Sequence, residues 1–299
     1  MKPLLLALPG NEGIGVTLAA ALAAEYAVPE IRQFPDGETY LRLNADIKAR
    51  DVILACSLDK PDPKFLPLIF TADAAKDLGA RSVGLICPYL AYMRQDTRFK
   101  TGEGITSAYF ARALGQHFDW LVTMDPHLHR RKSLSEIYTI PAQTVHAGTA
   151  IADWVRNNVT APLIIGPDSE SAQWVEAVAR EADAPYIVLE KHRHGDHEVE
   201  VSAPDLHLWR DRTPVLVDDI ISTAQTLIES VHSLQAAGTS NIIAVGIHGL
   251  FAGKAYDELR ASGVRKIVTC NTVAHPSNAI DVTAFLAGAA RELLRAQKR

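Results

Sequence analysis

The chain has 299 residues, 47% of them hydrophobic and 22% charged, with a formal net charge of −5. That balance excludes a disordered chain, and the negative charge argues against a nucleic-acid surface. No stretch approaches the roughly 20 apolar residues of a membrane span, and the widely spaced Cys56, Cys87 and Cys270 lack metal-ligand spacing and read as reduced thiols of a cytoplasmic protein.

Residues 4–8 are apolar throughout but too short for a secretory signal, so a first buried strand is expected there. Residues 11–27 carry an Ala/Leu-rich helical pattern and 28–34 a short strand. Pro35-Asp36-Gly37-Glu38 is a tight turn that should project Phe34, Asp36 and Glu38. Strands at 51–56, 81–88 and 120–124 alternate with helices at 65–78 and 106–114, and residues 99–105, with Gly102 and Gly104, read as a mobile loop. A similar alternation starts afresh beyond residue 140. Strands are expected at 163–165, 186–189, 198–202, 215–217, 241–246 and 266–269, and helices at 149–157, 170–182, 227–237, 253–262 and 284–297. This pattern predicts an α/β protein of two similar doubly wound domains with mainly parallel sheets, residues 1–140 and 141–299.

Chemistry-bearing residues gather where these strands end. Val215, Leu216 and Val217 run into Asp218 and Asp219, then into Ser222-Thr223-Ala224-Gln225-Thr226 and a helix. Helix-entry N–H and hydroxyl groups suit a phosphate, whereas paired carboxylates suit either sugar hydroxyls or a divalent metal. The same loop also reads as an ordinary helix cap. Arg94-Gln95-Asp96 with Arg98 offers two guanidiniums, either for a polyphosphate or for solvated ion pairs. Asp125-Pro126-His127-Leu128-His129 offers metal or phosphate contacts through His127 or His129, and Gly166-Pro167-Asp168 ends a strand in a carboxylate or helix cap. Lys191-His192-Arg193-His194-Gly195-Asp196-His197 is either a solvated charge run or a segment that closes Lys191 and Arg193 over a substrate.

Taken in order, these motifs resemble the ribose-phosphate pyrophosphokinase family, over nearly the whole chain. Two carboxylates followed by Thr-Ala-x-Thr resemble the ribose 5-phosphate loop of the type I phosphoribosyltransferase fold. The resemblance implies Mg²⁺-dependent transfer of the β,γ-diphosphoryl group of ATP to the 1-hydroxyl of ribose 5-phosphate, releasing AMP. It implies that Phe34, Asp36 and Glu38 meet the adenine from a neighbouring subunit, while Arg94, Gln95, Asp96 and Arg98 hold ATP. His127 and Asp168 fall at the Mg²⁺–triphosphate, and Lys191 and Arg193 in the catalytic loop. Asp218 and Asp219 take the ribose hydroxyls, and Ser222, Thr223, Ala224, Gln225 and Thr226 the 5-phosphate. A homo-oligomer, dimer-based and up to a hexamer, follows from the shared adenine site.

The sequence departs from the family's pattern in three places. Ser222 replaces the Asp of the commonest bacterial loop, although the shorter archaeal-type members resemble this sequence in having Ser there. Gln225 stands where most members have Gly, a cost of the order of 1 kcal/mol if the backbone there needs positive φ. Glu170-Ser171 replaces paired glycines. A phosphoribosyltransferase shares the Asp-Asp loop but leaves the first-half motifs, the doubled domain and Lys191/Arg193 unexplained. A non-catalytic regulatory homologue finds support only in Gln225 and Glu170-Ser171.

Overall fold

The computed structural model describes residues 1–128, 130–194, 198–202 and 206–297, so the readings of His129 and of Gly195, Asp196 and His197 lie outside the described residues. The chain divides into two units. The first comprises Met1–His146, Thr272–Ala274 and Val282–Arg299. Its elements begin with β1 (Leu4–Ala7), α1 (Glu12–Leu22), β2 (Glu25–Ala27), β3 (Glu30–Gln33), β4 (Thr39–Arg42) and β5 (Asp51–Ala55). They continue with α2 (Pro61–Asp77), β6 (Ser82–Cys87), α3 (Thr106–His117), β7 (Trp120–Met124) and β8 (Ala142–Val145). A six-stranded parallel sheet runs in the order β2-β1-β5-β6-β7-β8. Its inner strands are buried along their whole length, Leu4, Ile53, Leu85 and Trp120 among them, as expected when helices cover both faces.

The second unit, Ala147–Asn271 with His275–Asp281, repeats the plan. It contains α4 (Gly148–Asn158), β9 (Pro162–Gly166), α5 (Ala172–Glu181), β10 (Tyr186–Val188), β11 (Glu190–His194) and β12 (Glu198–Ser202). Next come β13 (Thr213–Ile221), α6 (Gln225–Ala236), β14 (Ile243–Gly249), α7 (Ala255–Ala261), β15 (Lys266–Cys270) and β16 (Asn278–Ile280). The parallel sheet has the order β10-β9-β13-β14-β15-β16, while β11 and β12 form a separate antiparallel pair. Counted within each sheet, both units read 2-1-3-4-5-6. The connections therefore reverse direction between β1 and β5 in one unit and between β9 and β13 in the other. A crevice beyond the carboxyl ends of two such strands is where open α/β sheets hold ligands.

The expected doubly wound pair is present, with local differences. The helix expected over 11–27 stops at Leu22, because Ala23 turns left-handed (φ 50°), and residues 25–27 become an edge strand on β1. Residues 30–33 pair antiparallel with β4 as a hairpin outside the main sheet. Residues 99–105 form a turn closed by Glu103, whose Oε2 accepts the N–H groups of Phe99 (2.7 Å) and Lys100 (3.0 Å). The boundary lies at 146 rather than near 140, because β8 still belongs to the first sheet. The C-terminal helix Thr283–Ala296 also returns to the first unit, burying Leu286, Ala287, Ala290 and Leu294 there.

Candidate active site

In the second unit β13 does not end at Val217. It continues through both carboxylates to Ile221, held beside β14 with Asp218 opposite Gly246 and Ile221 opposite Gly249. The acidic pair is thus part of a strand that β14 accompanies to its end, while β9 pairs with it only over Thr213–Leu216. The Asp219 N–H donates to Asp218 Oδ1 at 3.0 Å. Burial, then the charges of Asp219 and Asp168, hold the Asp218 carboxyl well above the usual carboxylate range. Three carboxylates acting on one another mark a place that hydroxyl donors or a cation would relieve.

The strand leads into α6 through a sharp entrance. Ala224, not Gln225, is the left-handed residue (φ 61°), and Gln225 is the first residue of the helix. Expecting strain at Gln225 is therefore corrected by one position. The N-cap residue Ala224 offers no side-chain acceptor, and no acidic residue stands in the first turn. Its entrance N–H groups, with exposed Thr223 and half-buried Ser222, make an anion cradle. From below, Leu250 and Phe251 both donate N–H to Ile221 O at 3.0 Å, and Ala252 donates to Ser222 O at 2.9 Å.

Asp168 follows β9, beside β13. Its Oδ1 accepts the Glu170 N–H at 3.1 Å, and Ser171 Oγ donates to its carbonyl at 2.6 Å. Glu170 and Ser171 thus close a short 3₁₀ turn before α5, so the helix starts two residues later than residue 170. Lys191 and Arg193 lie on strand β11, opposite Val201 and Val199, where the sequence suggested a loop.

The first unit holds the remaining residues. Arg94 and Arg98 are exposed, and Gln95 and His127 are half-buried. Arg98 Nε donates to Glu103 O at 3.0 Å, and Thr106 Oγ1 donates to Gln95 Oε1 at 3.0 Å. Asp96 is buried, with its carboxylate 3.2 Å from Arg130 and its carbonyl accepting from Arg131 at 3.1 Å. It orders two arginines that sequence reasoning passed over, although Arg130-Arg131 directly follow the His127 motif. A second missed pair is Asp125 and His146, 2.6 Å apart, and Asp125 raises the His146 pKa. Nothing local in sequence joins two residues on neighbouring strand ends. The hairpin turn forms as expected: the Phe34 N–H donates to Glu38 O at 2.8 Å, and the Glu38 N–H to Asp36 Oδ1 at 3.3 Å. Phe34 is 41% exposed, with Arg32 stacked 4.9 Å from its ring.

Among the described residues, no group of three or more His, Cys, Asp and Glu side chains is arranged to hold a metal, and no helix is long and apolar enough to cross a membrane. Cys56, Cys87 and Cys270 are all buried. Burial pushes the Cys56 thiol up to about 12, so it offers no thiolate near neutral pH.

A parallel 2-1-3-4-5-6 sheet whose central strand carries Asp-Asp into a hydroxyl-rich helix entrance defines an α/β protein of the phosphoribosyltransferase type. Family models agree over both units: a phosphoribosyl transferase domain matches residues 133–284, and the N-terminal domain of ribose phosphate pyrophosphokinase matches residues 4–117. The chain belongs to the ribose-phosphate pyrophosphokinase family. It is 33% identical to the ribose-phosphate pyrophosphokinase of Methanopyrus kandleri, covering 97% of this chain and 99% of that one. It is likewise 33% identical to that of Saccharolobus solfataricus, over 88% and 90% of the two chains. Among solved structures, phosphoribosylpyrophosphate synthetase from Mycobacterium smegmatis has the same fold, with a TM-score of 0.85 and 21% identity over 99% of this chain and 100% of that one.

Proposed function

We propose that this protein is a ribose-phosphate diphosphokinase. It transfers the β,γ-diphosphoryl group of ATP to the 1-hydroxyl of ribose 5-phosphate, giving phosphoribosyl diphosphate and AMP. The observation that carries this reading is the continuous run from Asp218-Asp219 on β13 into the hydroxyl-bearing entrance of α6. Carboxylates accept hydrogen bonds from the ribose hydroxyls at one end, and Ser222, Thr223, Ala224, Gln225 and Thr226 take the 5-phosphate at the other. Relief of the repulsion around Asp218 supports the first half of that assignment.

In the first unit we assign Arg94, Gln95, Arg98 and His127 to ATP, with Arg130 and Arg131 added and Asp96 as the buried group that orders them. Phe34, Asp36 and Glu38 are assigned to the adenine of a neighbouring subunit, so the working protein is a homo-oligomer. The exposed Phe34 ring supports this. Lys191 and Arg193 neutralise charge developing on the transferred diphosphoryl group, since phosphoryl-type transfer asks mainly for positioning and electrostatic stabilisation. Mg²⁺ supplies charge neutralisation and polarisation of the diphosphoryl oxygens. Asp168 in the second unit is proposed as its carboxylate contact, and His127 in the first unit is proposed separately as a contact of the Mg²⁺–triphosphate. The donor set fits, because Mg²⁺ is usually held by one or two carboxylates plus substrate phosphates and water, without a full protein cage. The wide spacing of Cys56, Cys87 and Cys270 in the sequence, with no metal-ligand pattern, supports a cytoplasmic setting.

The test is AMP release from ATP and Mg²⁺, with and without ribose 5-phosphate, with phosphorus NMR on the product. Sugar-dependent AMP with a new diphosphate resonance is expected, and Lys191→Ala or Arg193→Ala should lower kcat about 10²-fold or more with little change in KM. ADP as the nucleotide product would replace this reading with a simple phosphokinase. Nucleotide binding without turnover would make the chain a regulatory homologue.

A further inference from the structure

The 222–226 loop rests on a turn that is itself held in an unfavourable shape. Residues 250–252 donate three N–H groups to the carbonyls of Ile221 and Ser222, and within that turn Phe251 has φ 44°. A bulky residue in left-handed backbone persists only where its surroundings over-determine it. Here they do so through rings. Phe251 packs against His275 with centroids 4.4 Å apart at 37°, and against Tyr256 at 5.1 Å and 80°. Tyr256 and His275 complete the triangle at 4.7 Å and 66°. Gly249 leaves room for this: a Cβ there would lie 2.7 Å from the Phe251 ring and 2.9 Å from Thr269 Cγ2.

His275 is fixed more firmly than a stacking partner needs to be. Its N–H donates to Asn278 Oδ1 at 3.0 Å, and its Nδ1 accepts the Ser277 N–H at 3.2 Å while lying 2.7 Å from Ser277 Oγ. Ser277 Oγ in turn lies 2.8 Å from Thr269 Oγ1. Asn278 Nδ2 donates to Thr269 Oγ1 and to Cys270 O, both at 2.9 Å. These bonds pin the ring to the end of β15, a strand of the sheet itself. A chain of contacts therefore runs from β15 through His275 and Phe251 to the carbonyls beneath Ser222 and Thr223.

We propose that His275 is a positioning residue for the 222–226 loop, acting through the Phe251 ring and the backbone of residues 250–252. The inference rests on reading that loop as the ribose 5-phosphate site. His275 touches no reacting atom in this scheme. It sets where the phosphate-binding N–H groups point, and so governs the affinity for the sugar phosphate.

Four variants test it: Phe251→Ala, His275→Gln, which removes the ring, His275→Phe, which keeps a ring, and Val155→Ala, a core change in α4 of the same unit. Phe251→Ala and His275→Gln should raise KM for ribose 5-phosphate about five- to tenfold while KM for ATP stays within about twofold. His275→Phe should restore KM to near the wild-type value. Val155→Ala should lower Tm without moving it. In parallel, amide hydrogen exchange across residues 221–227 should quicken in His275→Gln and not in His275→Phe. An unchanged KM in His275→Gln, or an equal rise in Val155→Ala, would overturn the proposal. If the wild type itself does not turn over ribose 5-phosphate, the functional reading fails, and the exchange measurement decides alone: unchanged exchange in His275→Gln overturns the positioning role.

Discussion

The two sheets share one strand order, yet the loops at their reversal points have opposite characters. After β13, residues 218–226 bring two half-buried carboxylates, hydroxyls and a helix entrance whose N-cap, Ala224, has no side-chain acceptor. After β5, the equivalent loop is filled by its own unit. The Ser57 N–H donates to Asn11 Oδ1 at 2.7 Å and Ser57 Oγ donates to Thr272 O. Lys64 Nζ donates to Ser57 O at 2.8 Å and also to Asp59. The helix that follows begins with Pro61 and carries Pro63 two residues on, so its first turn lacks two of the N–H groups that a phosphate needs. The difference teaches that topology only offers a crevice. Whether the crevice binds anything is decided by which groups the chain places there.

The largest effect that tests this contrast is kinetic. Asp218→Asn combined with Asp219→Asn should lower kcat/KM for ribose 5-phosphate about 10²-fold or more, from two charge-assisted hydrogen bonds of about 1.5–3 kcal/mol each. Asp59→Asn, at the matching place in the first unit, should change kcat/KM by less than about twofold. Similar losses from both would break the comparison.

A smaller effect should appear in stability. A carboxyl whose folded pKa lies above its unfolded value of about 3.9 binds more protons when folded. Its contribution is fully present in acid and is lost as pH rises through the folded value. Asp218 is such a group, so wild-type Tm should fall relative to Asp218→Asn across that window, leaving the variant a few degrees more stable at neutral pH. Paired melting curves at pH 4 and pH 7 check this, and an unchanged gap would count against it.

The smallest effect separates two adjacent residues. Ala224→Gly should stabilise by up to about 1 kcal/mol, because Ala224 has φ 61°. Gln225→Gly should cost about 0.5–1 kcal/mol, because Gln225 is ordinary helix. Denaturant midpoints distinguish the two, and a stabilised Gln225→Gly would return the strain to position 225.

Much of this was legible in the sequence where the signal is local. Apolar runs ending in Asp125 and Asp168 marked two strand ends, and Pro35-Asp36-Gly37 marked the hairpin turn, because burial and turn chemistry are written over a few neighbouring residues. The edge strands β2, β8 and β16 were not legible. They are three or four residues long and largely half-buried, so they lack both periodicity and the continuous apolar run of a central strand. The extension of β13 through two carboxylates was hidden for another reason. Its hydrogen bonds come from β14, a partner that composition at 218–221 does not announce. Asp96 with Arg130 and Arg131, and Asp125 with His146, are pairings across more than 20 residues of sequence, as the separations of 34, 35 and 21 show. The position of the left-handed residue, one place before Gln225, is set by how α6 docks and not by residue type.

The C-terminal helix carries a consequence for the order in which the molecule can be made. It belongs to the first unit, where Thr283 Oγ1 meets Thr17 Oγ1 of α1 at 3.2 Å and Glu292 accepts from Gln143 of β8 at 3.0 Å. A ribosome delivers the chain from its N-terminus, and domains usually fold in that order. Here the first unit emerges early but stays unfinished, its helix-binding face bare, until residues 283–296 are released. The second unit can close on itself before then, so the half begun first is the half completed last.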